Sequence, residues 1–173
     1  MIVSMSEADK VNKNANNQNE AVSTEISALD VAKYLIGLAQ RDGKPITNLR
    51  LQKLLYYAWG TYWNLYKKIL FKDDIEAWQF GPVVRDVYIE YCDSKKQTLS
   101  IKEQDFSEIE KKLNIEIKKF LTSFYQGYKD LTTNSLVSSS HEEKPWKTTY
   151  KGKKTVIPRE KLKDFFNVIE YAA

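Results

Sequence analysis

The chain has 173 residues and a formal net charge of +4, which is too mild to indicate nucleic-acid binding by itself. Its single cysteine, Cys92, excludes an internal disulfide, and no apolar run is long enough to predict a membrane span. Four Trp, eleven Tyr and seven Phe residues supply enough large apolar surface for one packed domain. Because the first residues also lack the pattern of a signal peptide, we expect a cytoplasmic protein.

The N-terminal segment differs in composition from the rest. Residues 1–26 are rich in Asn, Ser and Glu and contain no aromatic residue. So little apolar surface cannot offset the entropy of ordering the chain. We therefore predict a disordered tail over residues 1–26, followed by one folded domain over 27–173. An inert extension is the simpler role for the tail, and a recognition arm or degradation tag is the functional alternative.

Two helices are predicted at the start of the folded region. Ser27 and Asp30 have the spacing of a capping box, and the apolar periodicity that follows ends at Gly43. Thr47 is a suitable N-cap for a second helix over residues 48–68. This helix has an aliphatic stripe and an aromatic stripe, so more than half of its circumference requires cover. We expect it to lie in the middle of a bundle, or to contact a partner on one side.

The middle of the chain alternates between irregular segments and helices. Residues 75–80 alternate in polarity and should form an extended segment or an irregular turn. Pro82 suits the first turn of a third helix. A long fourth helix is predicted over residues 106–129, and a loop over residues 132–140.

The C-terminal part predicts one turn and one helix. A hairpin turning at Lys151 and Gly152 is a possible arrangement, although Lys-Gly is a weaker turn signal than Asn-Gly. Pro158 opens a last helix. The predicted fold is therefore mainly α, a single compact domain of about five helices with a short extended or hairpin element near the C-terminal part.

No catalytic or metal-binding pattern is recognisable. His141 is the only histidine, and with one cysteine it cannot supply the three or four ligands of a zinc site. We interpret His141 as a loop residue that caps or packs, and Cys92 as a buried structural thiol. The six glycines form no phosphate-binding loop. We therefore predict a non-enzymatic protein that uses no metal and no cofactor.

The aromatic stripe of the second helix is the strongest candidate for a protein-binding surface. Its members are Tyr56, Trp59, Trp63 and Tyr66. Tyr and Trp serve equally well in cores and at the centres of interfaces. A core role is the simpler interpretation of this stripe, and a partly open stripe that contacts a partner is the functional one.

The segment over residues 144–163 is strongly basic. It carries eight basic residues and one acidic residue, Glu160, with Trp146 and Tyr150 between them. Cations and aromatic rings together suit a nucleic-acid surface. A solvated face, or a patch for an acidic protein, explains the same composition and is favoured because no nucleic-acid-binding signature accompanies it.

Two ordered motifs resemble those of the Panacea antitoxin domain family, which includes SocA-like antitoxins and GepA-like phage-associated proteins. The first is LQKLLYYA at residues 51–58, and the second is EAWQFGPV at residues 76–83. A weaker downstream mark is a histidine followed by Pro-Trp. The matching positions are Gln52, Lys53, Glu76, Trp78, Gly81, Pro82, His141, Pro145 and Trp146.

The resemblance implies a binding function. Members of the family are antitoxins that neutralise small toxins by direct contact, with the toxin usually encoded in the neighbouring reading frame, and protease adaptors occur among them. The resemblance implies that the partner of this chain is a cognate toxin, and it assigns no catalytic residues. The motif residues are either structural or contact residues, and we favour a structural role in which Glu76 accepts a hydrogen bond from Lys53 or Tyr57. The alternative function is a phage-associated protein that binds nucleic acid or a host factor through residues 144–163.

Overall fold

Eight helices, a short 3-10 turn and one small sheet make up the part of the chain that this computed structural model describes, residues 26–94 and 97–167. The prediction of a mainly α fold is confirmed. The predicted tail lies outside these ranges except for Ile26, which packs against the core. The helices are α1 Ala28–Arg41, α2 Asn48–Tyr66, α3 Arg85–Glu90, α4 Glu103–Lys112, α5 Ile115–Tyr128, α6 Thr133–Glu142, α7 Lys144–Lys147 and α8 Arg159–Asn167.

The first two helices begin where their capping residues predict. The Ser27 side chain accepts a hydrogen bond from the Asp30 backbone N–H, and the Asp30 carboxylate accepts one from the Ser27 N–H. The Thr47 hydroxyl caps α2 by accepting from the backbone N–H of Arg50. These bonds satisfy N–H groups that have no partner within the helix. Helix α2 ends at Tyr66, two residues earlier than expected, because Lys67 adopts a positive φ of 55°.

Helix α2 is the central element of the fold. Residues 51–61 are all buried, and α2 packs against α1, α5, α6, α8 and the sheet. Two glycines permit close helix packing around this centre. A Cβ at Gly60 would lie 2.3 Å from the ring of Phe166 in α8, and a Cβ at Gly37 of α1 would lie 2.0 Å from the ring of Phe106 in α4. The expected need for cover on most sides of α2 is thus met within the chain.

Three short strands form an antiparallel sheet beside α2. They are β1 Glu76–Trp78, β2 Gly81–Val83 and β3 Thr155–Val156, in the order β2-β1-β3. The prediction of a third helix opening at Pro82 is wrong, since Pro82 pairs with Ala77 in the sheet and α3 begins at Arg85. The predicted hairpin at Lys151 and Gly152 is also absent from the described residues: the strand that follows this turn pairs with distant β1.

Two further predictions from periodicity are corrected. The long helix over 106–129 is divided into α4 and α5, because Asn114 starts a new helix by accepting a hydrogen bond from the backbone N–H of Ile117. The segment over 132–140 is helical rather than a loop. Its Ser and Thr residues weaken helix propensity, but Thr132 caps α6 and Leu136 is buried in the core.

One single-residue expectation also changes. Cys92 is exposed in the 3-10 turn Cys92–Ser94, because α3 ends at Glu90 before the helix face reaches it. The last helix does begin after Pro158, as predicted. Among the described residues, no helix combines the length and apolar character needed to cross a membrane.

Candidate protein-interaction site

The first motif joins α2 to the sheet through two adjacent polar side chains. The Lys53 ammonium, fully buried, donates to the backbone carbonyl of Pro82 at 2.8 Å. The Gln52 amide oxygen accepts from the backbone N–H of Val84 at 2.9 Å. Because Val84 is the N-cap of α3, this pair fixes both the end of β2 and the start of α3. The Gln52 and Lys53 side chains are therefore structural groups in this fold.

A close approach at Gly81 accompanies this contact. Gly81 has a φ of 101°, and a Cβ there would lie 2.6 Å from the Lys53 ammonium nitrogen and 2.9 Å from the Ser140 hydroxyl. Burial lowers the pKa of Lys53 to about 7, since the charged form loses its hydration. In the second motif, Gly81 thus leaves space for the buried lysine side chain, and Pro82 supplies the carbonyl that accepts its hydrogen bond.

The two tyrosines of the first motif reach in a different direction. The Tyr56 and Tyr57 hydroxyls donate to the two carboxylate oxygens of Glu143 at 2.7 and 3.0 Å. Burial raises the pKa of the Glu143 carboxyl and also raises the pKa of both tyrosine hydroxyls. Glu143 joins α6 to α7, so this contact holds the two short helices against α2.

The sequence suggested that Glu76 accepts a hydrogen bond from Lys53 or Tyr57, but these two residues donate to Pro82 and Glu143 instead. The Glu76 carboxylate accepts from the indole N–H of Trp78 at 2.7 Å. Glu143 accepts hydrogen bonds from the hydroxyls of both motif tyrosines. It was not predicted from the sequence because it lies 86 and 87 residues away from them.

The downstream mark packs onto the second motif. The rings of His141 and Trp146 stack at 4.1 Å, and Trp146 stacks on Tyr150 at 5.1 Å. The Trp146 indole N–H donates to the backbone carbonyl of Trp78 at 2.7 Å, while Pro145 is buried at the start of α7. His141 lies in the last turn of α6 rather than in a loop, and it packs as expected.

The electrostatic environment of His141 is unfavourable for its charged form. Burial, reinforced by the nearby Lys53 charge, lowers the pKa of His141. Its Nε2 atom is buried without a hydrogen-bond partner among the described residues. No cluster of three or more His, Cys, Asp or Glu residues that could hold a metal ion occurs within 26–94 and 97–167.

The predicted aromatic stripe of α2 is divided between core and surface. Tyr56 and Trp59 are buried, and the Trp59 indole N–H donates to the Phe71 carbonyl at 3.2 Å. Trp63 is half-buried, and Tyr66 is 38% exposed. The stripe is thus not one continuous open surface, because α8 and the segment around Phe71 cover its N-terminal half.

A second surface lies on the outer face of the sheet, where the fold brings part of the basic segment 144–163 beside the second motif. We call it the hairpin surface. Ala77 points into the core, so its β1 neighbours Glu76 and Trp78 face outward, as does Val156, the β3 partner of Glu76. The surface consists of Trp78, Phe80, Tyr88, Val156 and Lys154, together with the exposed Lys151 and Lys153 of the bend that leads into β3.

Comparison with known proteins places this architecture in a family. The model described as Antitoxin SocA-like, Panacea domain, matches residues 51–147, more than half of the chain. The chain belongs to this family. The matched range contains both motifs and the downstream mark, so the contacts of Lys53 with Pro82 and of Tyr56 and Tyr57 with Glu143 lie within the Panacea domain.

One curated relative is similar over a shorter range. Antitoxin SocA of Caulobacter vibrioides (strain NA1000 / CB15N) is 43% identical over 63 residues, which is 36% of this chain and 34% of that protein. The chain thus matches about a third of the length of this relative. No solved structure matches the chain.

Proposed function

We propose that this Panacea-domain protein is an antitoxin that neutralises a cognate small toxin by direct contact and without catalysis. The observation that carries the proposal is the match of residues 51–147 to an antitoxin family. The name of the similar Caulobacter protein, Antitoxin SocA, agrees with it.

The structure supports a binding role in two ways. First, the motif side chains of α2 make hydrogen bonds to β2, α3 and the α6–α7 junction, which gives a preorganised scaffold. A rigid scaffold loses less conformational entropy when a partner binds. Second, the surface retains exposed apolar side chains that lie close together: Phe80 is 62% exposed, and two positions before it Trp78 contacts the ring of Tyr88, which is 38% exposed. Exposed apolar groups of this size are typical of contact surfaces when they lie beside one another.

The experiment uses the protein encoded in the neighbouring reading frame as the probe. That protein is expressed alone and together with the full chain, and growth is followed. We expect growth arrest with the neighbour alone, recovery on co-expression, and a stable complex of the two purified proteins. A harmless neighbour, or a toxic one that is neither bound nor countered, would contradict the antitoxin function.

Delivery of the toxin to a protease is a finer form of the same proposal. It is tested by following the toxin's lifetime after synthesis is stopped, with and without this chain. An adaptor shortens that lifetime in cells that contain the protease. Neutralisation by contact alone leaves the toxin at least as long-lived as before, held in the complex.

A further inference from the structure

We propose that the hairpin surface is the toxin-binding surface, and that the toxin presents an apolar centre surrounded by acidic residues. The proposal rests on the antitoxin function proposed above. It names the contact surface and the chemistry of the partner, neither of which follows from membership of the family.

The hairpin surface has an apolar centre. Phe80 lies at the two-residue turn between β1 and β2 and, at 62%, is the most exposed large apolar side chain among the described residues. Beside it, the rings of Trp78 and Tyr88 meet edge to face at 4.9 Å. Val156 extends the apolar area on β3 and is 45% exposed. Aromatic side chains grouped in this way are typical of interface centres, where they contribute most once water is excluded.

A cluster of lysines borders this centre on one side. The sheet pairs Ala77 with Thr155, so the next position places Lys154 opposite Trp78, and the Lys154 ammonium lies 3.6 Å from the centre of the Trp78 ring. Lys151 and Lys153 are exposed in the bend that immediately precedes Lys154. The apolar centre and the lysines thus form one continuous surface.

The Lys154 ammonium packs on the Trp78 ring, but ion pairs within the described part of the chain do not neutralise this cluster. Lys151, Lys153 and Lys154 form no ion pair with any described residue, whereas lysines elsewhere do, for example Lys112 with Asp30 and Lys163 with Glu160. An unneutralised group of three cations next to an apolar centre fits a partner with acidic residues around an apolar patch. Such complementarity speeds encounter and selects the partner.

The ring geometry favours a protein over a nucleic acid as the occupant. Stacking of a nucleobase requires an open ring face. One face of the Trp78 ring is covered by Lys154, and Trp146 is stacked between His141 and Tyr150. Phe80, the most exposed of the described aromatic residues, lies at a turn rather than in a groove that could follow a phosphate backbone.

The exposed end of α2 is a weaker candidate because its groups have partners within the chain. The Trp63 ring stacks on Trp59, and its indole N–H donates to the Asn167 side chain at 3.1 Å. The Lys163 ammonium lies 4.9 Å from the centre of the Trp63 ring, and Lys163 also pairs with Glu160. Binding at this end would have to displace these contacts, whereas Phe80 at the centre of the hairpin surface is 62% exposed.

The test measures binding kinetics between the purified neighbouring-frame protein and variants of the full chain. Phe80→Ser removes the apolar centre, and its matched control is Ile115→Ser, an equally exposed apolar residue on α5. Lys151→Glu with Lys153→Glu reverses the charge of the border, and its control is Lys102→Glu with Lys119→Glu. Thermal melting of each variant checks that the fold is retained.

We expect Phe80→Ser to weaken binding at least tenfold, mainly through faster dissociation. We expect the Lys151 and Lys153 reversals to slow association and to reduce its dependence on salt. Both controls should bind within about twofold of the parent. Growth rescue by each variant is measured in parallel.

The outcomes separate this inference from the proposed function. If the parent rescues growth and Phe80→Ser binds as well as the parent, the hairpin surface is not the contact surface, although the antitoxin function stands. If Trp63→Ala weakens binding while Phe80→Ser does not, the end of α2 takes its place. If the parent neither rescues nor binds, and instead binds duplex DNA or RNA with a steep salt dependence, both proposals fail.

Discussion

Lys53 and Lys154 both lie beside β1 and β2, yet the two lysines occupy opposite environments. Lys53 is fully buried under the hairpin and donates to the Pro82 carbonyl, while Lys154 lies on the outer face of the same sheet against the Trp78 ring. The inner side fixes the position of the sheet, and the outer side presents an exposed Phe80 and lysines that form no ion pair with any described residue. One short hairpin can therefore serve the stability of the fold on one side and binding on the other.

The largest contrast between the two sides is expected for a pair of glycine substitutions. Gly81 and Gly152 both have a positive φ, of 101° and 81°, but only Gly81 has close neighbours at the position of a Cβ. We expect Gly81→Ala to lower the free energy of unfolding by roughly 3 kcal/mol or more, since backbone strain and overpacking add. Gly152→Ala should lower the free energy of unfolding by only about 1 kcal/mol, because backbone strain is its sole cost. Denaturant unfolding measures both, and equal losses would contradict a tightly packed inner side.

The second contrast concerns protonation of the buried lysine. With a pKa of about 7 in the fold and about 10.4 in the unfolded chain, Lys53 binds fewer protons when folded across this range. The stability of the protein should therefore rise as pH increases from 7 to 9, by up to about 1.4 kcal/mol per pH unit from this group. Above that window the buried tyrosines, whose pKa is raised, act in the opposite direction.

Denaturant unfolding at several pH values checks this, with Lys53→Met as the variant that removes the titrating group. The variant's unfolding free energy should change less between pH 7 and 9, whatever its absolute value. A matched substitution on the outer side, Lys154→Met, should keep the slope of the parent. Identical slopes for the parent and Lys53→Met would show that Lys53 does not titrate in this range.

A smaller effect is expected where the downstream mark joins the sheet. Trp146→Phe removes the indole N–H that donates to the Trp78 carbonyl, and it should cost about 1 kcal/mol more than Trp63→Phe. The indole N–H of Trp63 donates to the exposed Asn167 side chain, so water can take the place of the lost hydrogen bond there. Chemical denaturation of the two variants under one condition gives the difference, and a larger loss for Trp63→Phe would reverse our ranking of the two contacts.

The smallest effect on stability should come from the outer side itself. Phe80→Ser removes a side chain that is 62% exposed, so we expect the free energy of unfolding to stay within about 0.5 kcal/mol of the parent. Thermal or denaturant unfolding tests this. A loss of several kcal/mol would mean that Phe80 stabilises the fold, and the contrast between the two sides of the hairpin would then disappear.

Local signals in the sequence determined a large part of this architecture. The caps at Ser27 and Thr47, the apolar stripes of α1 and α2, and the last helix after Pro158 all involve residues within four positions of one another. Such interactions have a fixed spacing that can be read from the sequence. The ordered motifs over 51–58 and 76–83 also determined the family, because they require no knowledge of the fold.

Tertiary structure decided what those motif residues contact and which surface remains open. The acceptors of Lys53, Tyr56 and Tyr57 lie 29, 87 and 86 residues away. Glu76, chosen from the sequence as the acceptor for Lys53 or Tyr57, accepts from Trp78 instead. Likewise, the aromatic stripe of α2 has the same residue types along its length, yet packing against α8 buries one part and leaves Tyr66 exposed. Residue type and spacing state which groups need a partner, but burial and hydrogen bonding depend on segments that only the folded chain brings together.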